Sequence, residues 1–302
     1  MNQIILASLL MMFAGNAAAA DFDFSNNREY QKKYPDLACI DVGPLTDNEK
    51  AEYDAAKLQK LGQSAKVSYK RPACYGDGGG AGSTVSEDIS GPEFLDRLYA
   101  RLTSGPLPHG FFDGKVVISK EHGIKNIREL GIKIPDEERI EAFAERMWNG
   151  KYIDRNLLYV KNRINLDGQQ VQPPPKKITD PRMKFPAKLY CGQSLFDSRR
   201  ESILIDYRYG VEDLPPGVDT DPNLDWLAGK KGLLIRDEIR MVKPGLYLGR
   251  AYLQGVFGLY FILEYVDGTG DAPSAAEKDS CWVGHQRQRQ LNVSRSDYVN
   301  NL

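Results

Sequence analysis

Three charged residues stand in strand patterns that are otherwise apolar on one face. In Leu233 to Met241 the odd positions read Leu233, Ile235, Asp237, Ile239 and Met241, and the even ones after Leu234 are Arg236, Glu238 and Arg240. Successive side chains of a strand point to opposite faces, so one apolar face carries a lone carboxylate, Asp237. Ile203, Ile205 and Tyr207 alternate in the same way with Leu204, Asp206 and Arg208. A carboxylate on an apolar face must be paired or hydrogen-bonded when it is buried. Asp237 and Arg240 point to opposite faces of a regular strand and meet directly only across a bulge. Asp206, Asp237 and Arg240 therefore read either as a solvated face with cross-strand ion pairs, or as an inward Asp and Arg that fix the polar head of a ligand.

Aromatic content is consistent with a ligand pocket. The chain has 16 tyrosines, and Tyr190, Tyr207, Tyr247, Tyr252, Tyr260 and Tyr265 fall on strand patterns. Each offers an apolar ring and one hydroxyl, which suits an amphipathic ligand such as a lipid, sterol or aromatic acid, and which equally fills a core. Asp219-Thr220-Asp221-Pro222-Asn223-Leu224-Asp225 spaces oxygens as a calcium loop does, yet Leu224 stands where glycine is needed and Lys230 where the closing glutamate belongs. The same residues make ordinary turns, so no metal is assigned. There is no Gly-x-Ser-x-Gly and no His-Glu-x-x-His. His109 and His122 sit in loops, where either could serve as a general acid or base; without an identifiable partner each reads rather as a surface residue. No cofactor is implied.

Around these residues the chain divides into an appendage, a β-rich body and a tail. Residues 21–90 form the appendage. Thr46-Asp47-Asn48-Glu49 is a capping box that opens a helix to about Leu61, with a thin apolar stripe. Asp77 to Ser83 is glycine-rich, a linker by composition and not a phosphate loop, since the Gly-Lys-Ser/Thr ending is missing. Glu93 to Thr103 reads as a helix with Phe94, Leu95, Leu98 and Leu102 on one face, and Pro135 to about Gly150 as another. Strand patterns follow at Leu157 to Ile164, Ala187 to Cys191, Ser202 to Tyr209, Leu233 to Val242, Leu246 to Leu253 and Phe257 to Val266. Tight turns join the last three, which makes an antiparallel meander. The class is α+β. Two helices cannot cover so much sheet, so the body, residues 91–266, is expected to close into an antiparallel β-barrel or half-barrel with a few flanking helices and the N-terminal helical appendage. Residues 267–302 are a tail.

The first twenty residues read as a cleaved secretory signal. Ile4 to Phe13 is apolar and short of the ~20 residues that span a bilayer, and it runs on to Ala17-Ala18-Ala19-Ala20-Asp21, the pattern of a cleaved secretory signal. The expected location is periplasmic or extracellular, with no transmembrane segment after cleavage. Cys39, Cys74, Cys191 and Cys281 are an even set for such a compartment. They allow three pairings, of which chain proximity favours Cys39 with Cys74 and Cys191 with Cys281. A net charge of −1, from 40 basic and 41 acidic residues, excludes a polybasic nucleic-acid binder. The 41% hydrophobic content excludes a multi-span membrane protein and a disordered chain.

A family resemblance is carried by several short motifs in order. Gly110-Phe111-Phe112-Asp113-Gly114 resembles the Gly-x-Trp-x-Gly signature of small lipocalin-like (calycin) barrels of the GXWXG type. Trp148-Asn149-Gly150-Lys151-Tyr152 resembles the Trp-x-Gly-Lys element that follows in that family, and Ile205-Asp206-Tyr207, Asp237-Glu238-Ile239-Arg240 and Tyr247-Leu248-Gly249 fall where its later strands carry Tyr-Asp, Asp-x-x-Arg and Leu-Gly. The likeness spans residues 105–265. Phe112 replaces the signature tryptophan, the Tyr-Asp order is reversed, and the loops are longer.

The resemblance implies a barrel with an internal site for a small apolar or amphipathic ligand. Its candidate residues are Phe112, Trp148, Lys151, Asp206, Tyr207, Asp237, Arg240 and Tyr247. The leading expectation is a secreted binder of a small hydrophobic or amphipathic molecule. One alternative is an isomerase or hydrolase in the same cavity, with Asp206 or Asp237 as base and Arg240 as anion holder. Another is an envelope-associated interaction module, which predicts a filled barrel and an exposed apolar patch near residues 45–61.

Overall fold

The computed structural model describes residues 45–72, 84–117, 147–165, 179–194, 201–208, 214–216, 218–221, 225, 228–229, 232–266 and 268. The segment expected as a signal, residues 135–146 of the helix expected from Pro135, the glycine-rich linker, His122, the C-terminal tail apart from Gly268, and Cys39, Cys74 and Cys281 lie outside them; the expected helix end at residues 148–150 is instead the start of a strand. Cys191 is buried and is not a free thiol, and no disulfide joins two described residues. In the loop considered for calcium, Asp221 pairs with Lys184 and the Asp225 carboxylate accepts the backbone N–H groups of Phe185 and Asp221. No cluster of metal-ligating side chains occurs among the described residues.

The Thr46 capping box forms, with the Thr46 hydroxyl accepting from the Glu49 backbone and the Glu49 carboxylate accepting from Thr46 N. It opens only a short helix, α1 (Asp47–Ala51). The single helix expected to Leu61 is interrupted because Asp54 takes extended backbone and caps a second one, α2 (Ala55–Gly62), by accepting from Lys57 N at 2.7 Å. An antiparallel ribbon follows, β1 (Val67–Pro72) with β2 (Thr84–Ile89), two strands absent from the sequence reading. Then comes α3 (Gly91–Arg101), started by Ser90 and with Pro92 in its first turn.

Eight strands make a closed antiparallel barrel, so the half-barrel is excluded. They are β3 (Gly110–Val117), β4 (Trp148–Asp154), β5 (Tyr159–Ile164), β6 (Met183–Gln193), β7 (Glu201–Asp206), β8 (Arg236–Lys243), β9 (Leu246–Leu253) and β10 (Val256–Tyr265). Each pairs with the next in sequence, and β10 closes on β3 with Tyr260 opposite Val117 and Tyr265 opposite Phe112. Between β9 and β10, Gln254 (φ 50°) and Gly255 (φ 80°) are both left-handed, as a two-residue type I′ turn requires.

Strand alternation produces two cores, one on each side of the wall. Inside lie Phe112, Ile153, Leu189, Ile203, Ile205, Ile239, Tyr247 and Leu263 among others. Outside, Val117, Val242, Leu248, Tyr260 and Ile262 pack against Leu58 of α2 and Phe94, Leu95, Leu98 and Tyr99 of α3. The helices thus cover part of the barrel's outer face, anchored where Gly62 and Gly91 touch: a Cβ on Gly91 would overlap the Leu61 carbonyl oxygen.

Candidate functional site

Lys151 lies opposite the inward Phe112 and two residues from the inward Ile153, and a bulge in β4 brings Trp148 to the same face. The β4–β5 register shifts between Trp148 and Gly150, where Gly150 has φ +129° and a Cβ would overlap the Phe112 carbonyl oxygen. Only glycine serves there. Residues three apart in a regular strand face opposite ways; with the bulge, both Trp148 and Lys151 line the interior, and Ile153 joins the inner core.

Three strands and the residue just past the end of a fourth supply the side chains of a single polar cluster. Lys151 Nζ donates to Asn162 Oδ1 at 2.7 Å, to the Tyr207 hydroxyl at 2.7 Å and to Asp237 Oδ2 at 2.8 Å. Asn162 is directly opposite Lys151 on β5, whereas Asp237 on β8 stands four strands away around a ring of eight. The ion pair therefore spans the lumen, with the two side chains 2% and 6% exposed. The Trp148 indole donates to Asn162 Oδ1 at 2.9 Å, which fixes the amide: its oxygen faces two obligate donors and its nitrogen donates to the Tyr207 hydroxyl at 2.8 Å. Tyr207, just past the end of β7, in turn donates to Asp237 at 3.1 Å. The rings of Trp148, Tyr207 and Phe261 each stand 5.3 Å from Nζ.

Burial pushes the Lys151 amine below its ordinary range, and the Asp237 carboxylate acts against that shift. Burial, reinforced by Asp237, holds the Tyr207 hydroxyl well above the usual tyrosine value, so its resting form is the neutral phenol.

This cluster borders a cavity of about 280 Å³. The other lining is apolar, including Val116, Ile164, Phe185, Leu253, Leu259 and Phe261, with Ala228 and Leu233 from the segment before β8. These residues come from one end of the barrel. The other end is filled: Phe112 packs edge-on to Tyr247 and Tyr265 at 5.8 and 5.5 Å between ring centroids. The Lys151–Asp237 pair lies between the two.

Of the residues expected at the site, Trp148, Lys151, Tyr207 and Asp237 are brought together at the cavity. Phe112 and Tyr247 are in the barrel interior but fill its other end. Asp206 and Arg240 are outside the cavity, so Arg240 does not supply the inward cation of the reading in which an Asp and an Arg fix a ligand's polar head. Asp206 is held by Arg208 and the Tyr190 hydroxyl. Arg240 faces α3, donating to Ser202 Oγ at 3.0 Å and the Tyr99 carbonyl at 2.9 Å. No bulge separates it from Asp237, so alternation sends the two to opposite faces. The cation opposite Asp237 is Lys151. Asn162 was missed, although it interrupts the apolar row Val160, Asn162, Ile164 just as Asp237 interrupts its own. His109 lies 3.9 Å from Asp154, away from the cavity.

No protein-family model matches the chain, and no curated protein is significantly similar to it. A crystal structure of a protein from Thermomonospora curvata is similar over 58% of this chain and 86% of that one, with 19% sequence identity and a TM-score of 0.29.

Proposed function

We propose that the barrel binds a small, mostly apolar, uncharged molecule with one polar group, in keeping with its likeness to GXWXG-type lipocalin-like barrels. The observation that carries this reading is the composition of the cavity: an apolar wall with a single polar cluster at its inner end. That cluster is charge-balanced. The lysine and the aspartate compensate each other, so an anionic or cationic head group entering the cavity would leave one charge uncompensated in a poorly solvated space. A carbonyl or hydroxyl group meets no such penalty. The rings around Nζ and the apolar walls favour a ligand with a flat or aliphatic body.

The test is to export the protein to a bacterial periplasm, extract it with organic solvent and identify co-purified species by mass spectrometry. A stoichiometric neutral apolar compound supports the reading. A stoichiometric fatty acid or other anion overturns the charge argument, and an empty extract together with no uptake of neutral apolar alcohols by calorimetry overturns binding. Export is part of the same proposal, resting on the N-terminal segment and the cysteine set. Free thiols at all four cysteines of the exported protein would remove it.

The catalytic alternative keeps one support, since Lys151, Tyr207 and Asp237 are ionisable groups facing one another at a cavity; its version with Asp206 and Arg240 has lost them to the outer face. The interaction-module alternative is poorly supported, because Leu45, Ala55 and Leu58 are buried in the outer core.

A further inference from the structure

We infer that Lys151 forms a Schiff base with an apolar aldehyde held in the barrel cavity. The inference rests on the binding reading above and adds to it the class of ligand and a covalent step. Four observations meet at one atom. Lys151 Nζ is the primary amine at the inner end of an apolar cavity. It is in contact with both a carboxylate and a phenol, Asp237 at 2.8 Å and Tyr207 at 2.7 Å. Those two also touch each other at 3.1 Å. Finally, Asn162 and three aromatic rings hold the lysine head in place. A buried ion pair contributes little stability compared with apolar packing of similar volume, so its position beside a cavity calls for a chemical use. Amines become nucleophilic toward carbonyls when desolvation favours the neutral form.

The proton inventory closes with these groups alone. The Lys151 ammonium passes one proton to Asp237, leaving a neutral amine and a neutral carboxyl. The nitrogen lone pair attacks the aldehyde carbon, and the carbonyl π pair moves to oxygen. That oxygen takes a proton from Tyr207, which recovers one from the nitrogen, giving a neutral carbinolamine. Asp237 then protonates the carbinolamine hydroxyl, which leaves as water while the nitrogen lone pair forms the C=N bond. The product is a protonated imine facing the Asp237 carboxylate, the same charge balance as at the start. No oxidant or reductant takes part.

The experiment uses trans-cinnamaldehyde and decanal with the mature protein, trapping with cyanoborohydride, intact mass measurement and peptide mapping; cinnamyl alcohol and decanol are titrated in parallel by calorimetry. The expected result is one trapped group per chain, at Lys151 ahead of every surface lysine. Lys151→Arg, which keeps a cation opposite Asp237 but forms no stable imine, loses that adduct. Asp237→Asn keeps the amine and slows its formation. Binding of an alcohol without an adduct at Lys151 overturns the Schiff base and leaves the binding reading standing, as does labelling of Lys151 no greater than that of surface lysines. Failure of both alcohols and both aldehydes to bind overturns the two together. The wild-type peptide map decides the matter even if a variant fails to fold.

Discussion

The barrel wall separates two regions that bury charge in different surroundings. On the outer face, Arg240 and Arg250 stack against the Tyr99 ring, at 4.5 and 4.1 Å from its centroid. Arg240 is tied to Ser202 and the Tyr99 carbonyl, and Arg250 to Asp96. Every one of those groups joins α3 to the strands, and large apolar side chains surround them. On the inner face the Lys151–Asp237 pair joins β4 to β8 across the lumen, with apolar packing on one side and a cavity on the other. The outer charges act as fasteners whose partners are other parts of the fold. The inner pair has space beside it, and that space is what makes it a candidate site rather than a strut.

The comparison can be broken by four measurements. The largest effect is expected from Asp237→Ala, which leaves the Lys151 amine buried without its counter-charge and costs about 3–5 kcal/mol in urea unfolding near neutral pH. The loss depends on pH with a definite sign. Burial already lowers the folded-state value of Lys151, and removing Asp237 lowers it further. The unfolded chain then binds the extra proton over a wider range, so the variant's stability rises with pH and its deficit against wild type shrinks on the alkaline side. A deficit that grows with pH would contradict the assignment of Lys151 as the affected group.

Next comes Leu95→Ala, which removes a fully buried side chain from the outer core. It should destabilise by about 2–5 kcal/mol, with the affinity of the folded protein for cinnamyl alcohol unchanged. A changed affinity would mean that the two faces of the wall are coupled. Thr46→Ala, loss of the cap on α1, should cost about 1 kcal/mol and leave the adduct at Lys151 intact.

The variant expected to lose no stability is the most telling. Replacing both members of the inner pair, Lys151→Met with Asp237→Leu, should leave stability unchanged or raise it by about 1–4 kcal/mol while abolishing aldehyde trapping. A large loss in the double variant would make the pair a fastener like those outside.

Much of the wall was readable because its strands are buried on one or both faces and bounded by strong turn signals. β9 occupies Leu246 to Leu253 as expected, and β10 and α3 begin one and two residues before their expected starts. β2 went unread because only Ile89 of it is buried, so its period of two has almost no apolar signal to carry it; β1 does bury the alternating Val67 and Tyr69, but two apolar positions are too short a run to stand out. β8 starts at Arg236 and not Leu233 because Leu234 takes φ 48°, outside the strand region. For the site, the odd carboxylate at Asp237 announced itself in its row, but its partner did not. Lys151 is remote in sequence and was marked only by the family motif, and the bulge that puts Trp148 on its face is one that pattern counting skips. Arg240 was the nearer cation along the chain and stands on the wrong side of the wall.

The seam between β3 and β10 has a consequence for how the protein is made. The first barrel strand to leave the ribosome has as one neighbour the last strand to do so, and until Val256 to Tyr265 is available β3 and β9 each present an unpaired edge. Closure is therefore the final and most non-local event of folding, and slow for that reason. A nascent or truncated chain ending before β10 would display both edges at once, ready to pair with each other's counterparts on neighbouring chains. If the proposed export holds, a barrel kept open until its last strand arrives would be an asset: the chain stays threadable as long as the seam is missing.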